Sequence, residues 1–149
     1  MLSPLEKVLV LRSAGLFKGT PDDILADVAG LLEEVHADPG QAVFAKGEKG
    51  ESMYLIVAGE VRVHDGDHTI NYLHHGDIFG EMALLDSEPR MASITATTGT
   101  QLLRLDQDPF YELLEDRAEV ARGVIHVLSS RLRDSVAGRR QSAMQDSAH

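Results

Sequence analysis

The first part of the chain has apolar residues at helical spacing. Residues 4–12 predict a short helix, and a second helix is predicted to start at Thr20-Pro21, where Thr20 caps it and Asp23 completes a capping box. The apolar residues that follow at helical spacing are Ile24, Leu25, Val28, Leu31, Leu32 and Val35. The pattern therefore predicts an N-terminal helical segment over residues 1–36.

From residue 37 the spacing changes to that of strands. The short apolar runs are separated by glycines at positions 47, 50, 59, 66, 76 and 99. Val61 and Val63 alternate with Arg62 and His64, which is the period of a half-buried strand, and the segment HDGDH predicts a tight hairpin turn. Several short strands at this spacing indicate a sandwich, roll or barrel over residues 37–106.

The helical spacing returns after residue 106. Asp108-Pro109 is a favourable start for a short helix, and a longer helix is predicted from about Ala118 to Val136. The apolar face of this longer helix comprises Val120, Val124, Val127, Leu128 and Leu132. Residues 137–149 have no apolar period, so a disordered tail is predicted there. The order of elements predicts a mainly β fold with flanking helices (α+β).

Composition limits the classes of function. The 149 residues carry a formal net charge of −10, and 43% of them are hydrophobic, as in one globular domain. An acidic chain repels phosphate backbones, which argues against general nucleic-acid binding. The chain has no cysteine, no signal peptide and no apolar run of membrane-spanning length, and a cytoplasmic location is predicted.

Catalytic and metal sites find little support in the sequence. The histidines at positions 64, 68, 74 and 75 lie in or near predicted turns and form no helical His-x-x-x-His pair, so no metal site is predicted. The chain has no GxSxG elbow, Walker loop or dinucleotide glycine motif. Neither a catalytic centre nor a cofactor is predicted.

One arginine stands apart in the segment GDIFGEMALLDSEPRMAS, residues 76–93. Arg90 is the only formal cation between Arg62 and Arg104, and acids surround it. It could be an ordinary surface residue. Alternatively, Glu81 and Arg90 bind two different groups of one ligand.

Two segments resemble the cyclic nucleotide-binding domain family. The first is VFAKGEKGESMYLIVAG at residues 43–59, and the second is FGEMALLDSEPRMASITA at residues 79–96, which is similar to the phosphate-binding cassette of that family. With the flanking helices, the resemblance covers residues 9–133. It implies an eight-stranded antiparallel β-roll (a double-stranded β-helix or jelly roll), with N-terminal helices and a short and a long C-terminal helix.

The chemistry of the second segment suits a cyclic nucleotide. The planar guanidinium of Arg90 matches phosphate oxygens, and an ionised Glu81 can only accept a hydrogen bond, as from a ribose hydroxyl. Gly80 removes a Cβ where the backbone must approach the sugar. The EMALL turn can direct free amides at the phosphate. The resemblance implies that the amides directed at the phosphate are those near Ala83 and Leu84. It implies that the amide of Ala92 also lies close to the phosphate.

The residue after the arginine departs from the family pattern, which usually has a small or hydroxylated residue there. Met91 cannot donate a hydrogen bond to phosphate or guanine, so cyclic AMP is the expected ligand in preference to cyclic GMP. Val63, Ile70 and Asn71 match strand positions that line the pocket in relatives. A role in the structural core stays open for Val63 and Ile70.

The resemblance implies a sensor without catalysis, whose C-terminal helices relay ligand binding to an effector. His126, Leu128 and Arg131 are the candidates for contact with the base. A phosphodiesterase-type enzyme and a ligand-free interaction domain are the alternatives. The effector is unknown, and a homodimer is an open possibility. Bacterial transcription factors that resemble this domain continue into a helix-turn-helix, and no such DNA-binding domain is expected within this chain.

Overall fold

The computed structural model describes residues 1–13 and 15–147, with side chains described as far as residue 138. Helix α1 spans Pro4–Arg12, a 3₁₀ turn spans Gly15–Phe17, and helix α2 spans Asp22–Ala29. Ser3 caps α1 by accepting a hydrogen bond from the Glu6 amide, and a proline at the start of the helix adds a favourable φ. The predicted first helix is confirmed.

Eight strands follow and form two sheets. They are β1 Glu33–Ala37, β2 Ala42–Phe44, β3 Ser52–Ala58, β4 Glu60–Asp65, β5 His68–His74, β6 Ile78–Phe79, β7 Ser93–Ala96 and β8 Thr100–Asp106. One sheet has the order β1-β8-β3-β6 and the other β2-β7-β4-β5, and every pair is antiparallel. The predicted eight-stranded antiparallel β-roll with flanking helices is confirmed.

The second helix is present, but both its predicted start and its predicted end are wrong. Helix α2 begins at Asp22, and Pro21 at its N-cap makes no side-chain capping hydrogen bond. The helix ends at Ala29, and Glu33–Ala37 instead form β1, so the boundary predicted at residue 36 falls inside a strand. Val35 fits the helical spacing, but it pairs with Leu102 of β8. The backbone hydrogen bonds of a whole strand outweigh a weak local preference.

The hydrophobic core has two parts, and β8 contributes to both. Leu103 and Leu105 face the helices and pack with Phe17, Leu25 and Phe110. The other part lies inside the roll and contains Tyr54, Ile56, Val61, Phe79, Ile94 and Leu102. Alternate residues of a strand point to opposite faces, which is why Leu102 and Leu103 belong to different parts. The helices are thereby attached directly to the roll.

Three further helices belong to the described chain, one within the roll and two after it. Helix α3, Glu81–Leu85, lies between β6 and β7; helix α4 spans Gln107–Asp116, and helix α5 spans Ala118–Ser147. Val120 and Val124 of α5 are buried, whereas Leu132, predicted on the same apolar face, is 68% exposed. None of the helices in the described residues is both long enough and apolar enough to cross a membrane.

The predicted disordered tail from residue 137 is wrong as far as Ser147, because α5 continues to that residue. Residues 137–147 contain no proline and include alanine, arginine, glutamine and methionine, which are good helix formers. A helix can continue on backbone hydrogen bonds without an apolar face. The last two residues of the predicted tail lie outside the described residues.

Candidate ligand-binding cavity

A cavity of about 490 Å³ opens between the sheet that contains β4 and the short helix α3. Its volume lies within the range of roughly 300–1,000 Å³ that is typical of small-molecule sites. Val63, Leu73 and Ile94 are among the apolar residues of the lining, and Glu81, Glu88 and Arg90 are its charged residues. The cavity thus combines an apolar surface with two acids and one base.

The backbone of Gly80 lies directly against the side chain of Arg90. Gly80 has a φ of 76°, and a Cβ there would lie 2.7 Å from Nη1 of Arg90 and 2.9 Å from the carbonyl oxygen of Ser52. At Gly50, a Cβ would lie 3.0 Å from Cζ of Arg90. Both positions leave room for the guanidinium because they carry no side chain, and Gly80 also needs the left-handed backbone.

Arg90 is buried, with 9% of its surface exposed. Its Nη2 donates to the carbonyl oxygen of Ser52 at 2.9 Å, and its Cζ lies 4.0 Å from the centre of the Phe44 ring. Its Nε is buried without a hydrogen-bond partner. Burial lowers the pKa of Arg90, against the opposing effects of Tyr54 and Glu48. Among the described residues, no carboxylate forms a salt bridge with Arg90.

Glu81 is the first residue of α3 and lies next to Gly80. Its Oε1 accepts a hydrogen bond from Nη1 of Arg131 in α5 at 3.0 Å. Its Oε2 is buried and has no hydrogen-bond partner. One carboxylate oxygen is therefore paired and the other remains an acceptor without a donor.

Of the other predicted site residues, Ala83, Met91 and Ala92 also line the cavity, as Val63 does. Met91 is 89% exposed. The predicted free amide of Ala83 is engaged, because it donates to the carbonyl oxygen of Gly80 at 3.1 Å. A helix this short closes its first turn with a tight 3₁₀-type hydrogen bond.

The side chains of two predicted site residues do not line the cavity, although the prediction for Leu84 concerned its backbone amide. Leu84 is fully buried in the core between the helices and the roll. Ile70 on β5 is 56% exposed, and Tyr72, two residues further along the same face of the strand, is 45% exposed. Leu73 is the β5 residue that lines the cavity. Side chains alternate along a strand, so Ile70 points to the face opposite Leu73 and does not line the cavity as predicted. Asn71 does not line the cavity either.

The three candidates for base contact on α5 do not line the cavity. His126 is exposed, and Leu128 packs against the core between the helices and the roll. Arg131 binds Glu81 at the edge of α3. The described part of the chain contains no group of three or more side chains arranged to hold a metal ion.

Side chains of α4 attach the short helix α3 to the C-terminal helices. Nε2 of Gln107 donates to the carbonyl oxygen of Ala83 at 3.1 Å, and the hydroxyl of Tyr111 donates to that of Leu85 at 2.6 Å. Ser87 donates to Oε1 of Gln107 at 2.9 Å. The sequence did not predict these contacts, nor the contact between Phe44 and Arg90. All of them join segments that are far apart in the chain.

The fold and the cavity define a β-roll ligand-binding domain. The model of the family described as "Cyclic nucleotide-binding domain" matches residues 34–117, more than half of the chain. The chain belongs to the cyclic nucleotide-binding domain family.

Three similar proteins illustrate the range of the family. A CRP-like cAMP-activated global transcriptional regulator of Mycobacterium tuberculosis is 32% identical over 129 residues, which is 83% of this chain and 58% of the regulator. A cAMP-dependent protein kinase regulatory subunit of Eremothecium gossypii is 39% identical over 113 residues, 75% of this chain and 25% of the subunit. The solved N-terminal domain of a transcriptional regulator from Streptomyces coelicolor superposes with a TM-score of 0.81 at 28% identity, covering 87% of this chain and 94% of that domain. The chain spans little more than half the length of the first of these relatives.

Proposed function

We propose that this protein binds a cyclic nucleotide, cyclic AMP, and acts as a regulatory sensor domain without catalysis of its own. The observation that carries the proposal is the buried Arg90, which has no carboxylate partner among the described residues and lies beside Glu81 on one apolar cavity. A cyclic nucleotide offers one phosphate charge, one ribose hydroxyl and one flat base, and each matches one part of this cavity.

The phosphate is the group that suits Arg90. The guanidinium has already lost most of its contact with water, and one of its buried N–H groups has no acceptor. Because the guanidinium is already shielded from water in the folded protein, little further desolvation of it is needed when an anion binds. The hydrogen bonds between the guanidinium and that anion would be charge-assisted. Glu81 offers Oε2 to the ribose hydroxyl.

The base is proposed to lie on the apolar part of the lining. Val63, Leu73 and Ile94 supply this surface. Met91 replaces a hydroxyl that would help to bind guanine, which supports adenine as the base.

The relay is proposed to run from α3 through α4 to α5. The carbonyl oxygens of α3 accept hydrogen bonds from Gln107 and Tyr111 of α4, so a displaced α3 would pull on α4. A ligand shifts such an equilibrium only by its difference in affinity for the two states. We therefore expect hydrogen exchange in residues 118–136 to slow at saturating cyclic AMP, and removal of the chain from residue 118 to weaken binding.

Isothermal titration of the protein with cyclic AMP, cyclic GMP and 5′-AMP tests the proposal. We expect cyclic AMP to bind most tightly and 5′-AMP, whose phosphate carries a different charge and shape, to bind weakly. No binding of either cyclic nucleotide would disprove the function, and equal or tighter binding of cyclic GMP would disprove the preference. Chromatography of the cyclic AMP mixture for 5′-AMP tests for a phosphodiesterase, and we expect no product.

A further inference from the structure

Arg131 joins the C-terminal helix to the first residue of α3. Its Nη1 lies 3.0 Å from Oε1 of Glu81. Its other terminal nitrogen, Nη2, lies against the 3₁₀ turn, where a Cβ on Gly15 would be only 2.6 Å away. The guanidinium is therefore confined between the turn and the carboxylate, which limits the positions that it can adopt.

This contact makes the two oxygens of Glu81 different. Oε1 is paired with Arg131, whereas Oε2 is buried and has no partner. A carboxylate is planar, so a partner that fixes one oxygen also fixes the direction of the other. A buried acceptor without a donor is costly, and a hydroxyl group from a ligand is a suitable donor for it.

We infer that Arg131 is a positioning residue for Glu81. It holds the carboxylate so that Oε2 accepts a hydrogen bond from the ribose 2′-hydroxyl, and this inference rests on the proposed function. Because Arg131 belongs to α5, the 2′-hydroxyl is then bound most strongly when α5 is docked on the roll. By the reciprocity of linked equilibria, a ligand with this hydroxyl favours docking of α5, and a ligand without it favours docking less.

Titrations with cyclic AMP and 2′-deoxy cyclic AMP separate this role from a general structural one. We expect Arg131→Gln to weaken cyclic AMP binding about two- to tenfold, the range for one partly exposed charged contact, and to leave 2′-deoxy cyclic AMP binding unchanged. Arg131→Lys should recover part of the loss. Arg131→Gln combined with Glu81→Gln should bind no more weakly than Glu81→Gln alone.

Two further variants sharpen the comparison. Gly15→Ala places a methyl group against Nη2 of Arg131 and should weaken cyclic AMP binding in the same selective way, with the arginine still present. Arg133→Gln removes an exposed arginine of the same helix that contacts Ser130, and it should change neither affinity. Thermal unfolding of every variant checks that it is folded.

Each outcome has a distinct meaning. Equal loss of both nucleotides in Arg131→Gln would show a structural role and overturn the inference alone. Tighter binding of both would show that Arg131 competes with the ligand for Glu81, which also overturns it. If the wild-type protein binds neither nucleotide, the proposed function fails, and the inference fails with it.

Discussion

The guanidinium of Arg90 lies 4.0 Å above the centre of the Phe44 ring, and β2 holds this ring beneath it. The face of an aromatic ring attracts a cation, by about 2 kcal/mol when the pair is shielded from water. Phe44 is fixed in turn by Tyr54 and Phe79, whose rings stack on each other 5.1 Å apart. The charge that is proposed to receive the phosphate is thus held in place before any ligand arrives.

Arg90→Ala should weaken cyclic AMP binding by about 2–5 kcal/mol, because it leaves the phosphate charge buried without a partner. Glu81→Ala should cost less, about 1.5–3 kcal/mol, as expected for one charged hydrogen bond. Calorimetric titration measures both, and neither variant should unfold. Arg62→Ala is the matched control, since Arg62 lies on β4 and contacts Thr69. Unchanged binding by Arg90→Ala would show that Arg90 is not the phosphate ligand.

Gly80→Ala should lower both stability and affinity. The positive φ costs about 1–2 kcal/mol with a side chain, and the new methyl group meets Arg90 and Ser52 within 3 Å. Gly19→Ala is a control for the backbone effect alone, because Gly19 has a φ of 82° and no atom within 4 Å of the added Cβ. Denaturant unfolding should show lower stability for both variants, whereas titration should show weaker binding of cyclic AMP only for Gly80→Ala. Similar affinities for the two would contradict the close approach.

Tyr111→Phe should reduce the effect of the ligand on α4 and α5 more than it reduces the stability of the fold. It removes the hydrogen bond to the carbonyl oxygen of Leu85, which is worth about 0.5–1.5 kcal/mol, and the longer one of 3.3 Å that the hydroxyl accepts from Nε2 of Gln107, and it leaves the ring in place. We expect a smaller ligand-induced slowing of hydrogen exchange in α4 and α5. Tyr72→Phe, on the exposed face of β5, should behave as the wild type. The proposed route through α4 is excluded if both variants respond to ligand like the wild type.

Glu60 should contribute to acid sensitivity. Hydrogen bonds from Thr97 and then from His74 lower the pKa of Glu60 below its ordinary value of 4.5. A lowered folded-state pKa gives stability that is present above about pH 4.5 and is lost as the pH falls through the folded-state pKa. Melting temperatures from pH 3 to 6 should therefore fall less steeply for Glu60→Gln than for the wild type. Glu112→Gln, an exposed change on α4, should keep the wild-type slope, and identical slopes in all three proteins would count against the role of Glu60.

Much of the fold and the centre of the site could be predicted because they depend on local patterns. The change from helical to strand spacing, and back after residue 106, gave the order of elements, although β1 begins at Glu33, before the predicted boundary. Gly80, Glu81 and Arg90 lie close together in the sequence, and their chemistry, read with the family resemblance, suits an anion beside a hydroxyl group. The structure brings these three residues to one cavity.

Tertiary structure decided what depends on distant partners. Val35 is in a strand because β8 lies beside it, and Ile70 faces outward because the alternation along β5 directs Leu73 into the cavity. Arg131 reaches Glu81 because Val120 and Val124 of α5 pack into the core between the helices and the roll. Local periodicity reports which residues can share a face. Strand register and helix docking, which are set by pairing and packing across the whole chain, decide which face and which partner.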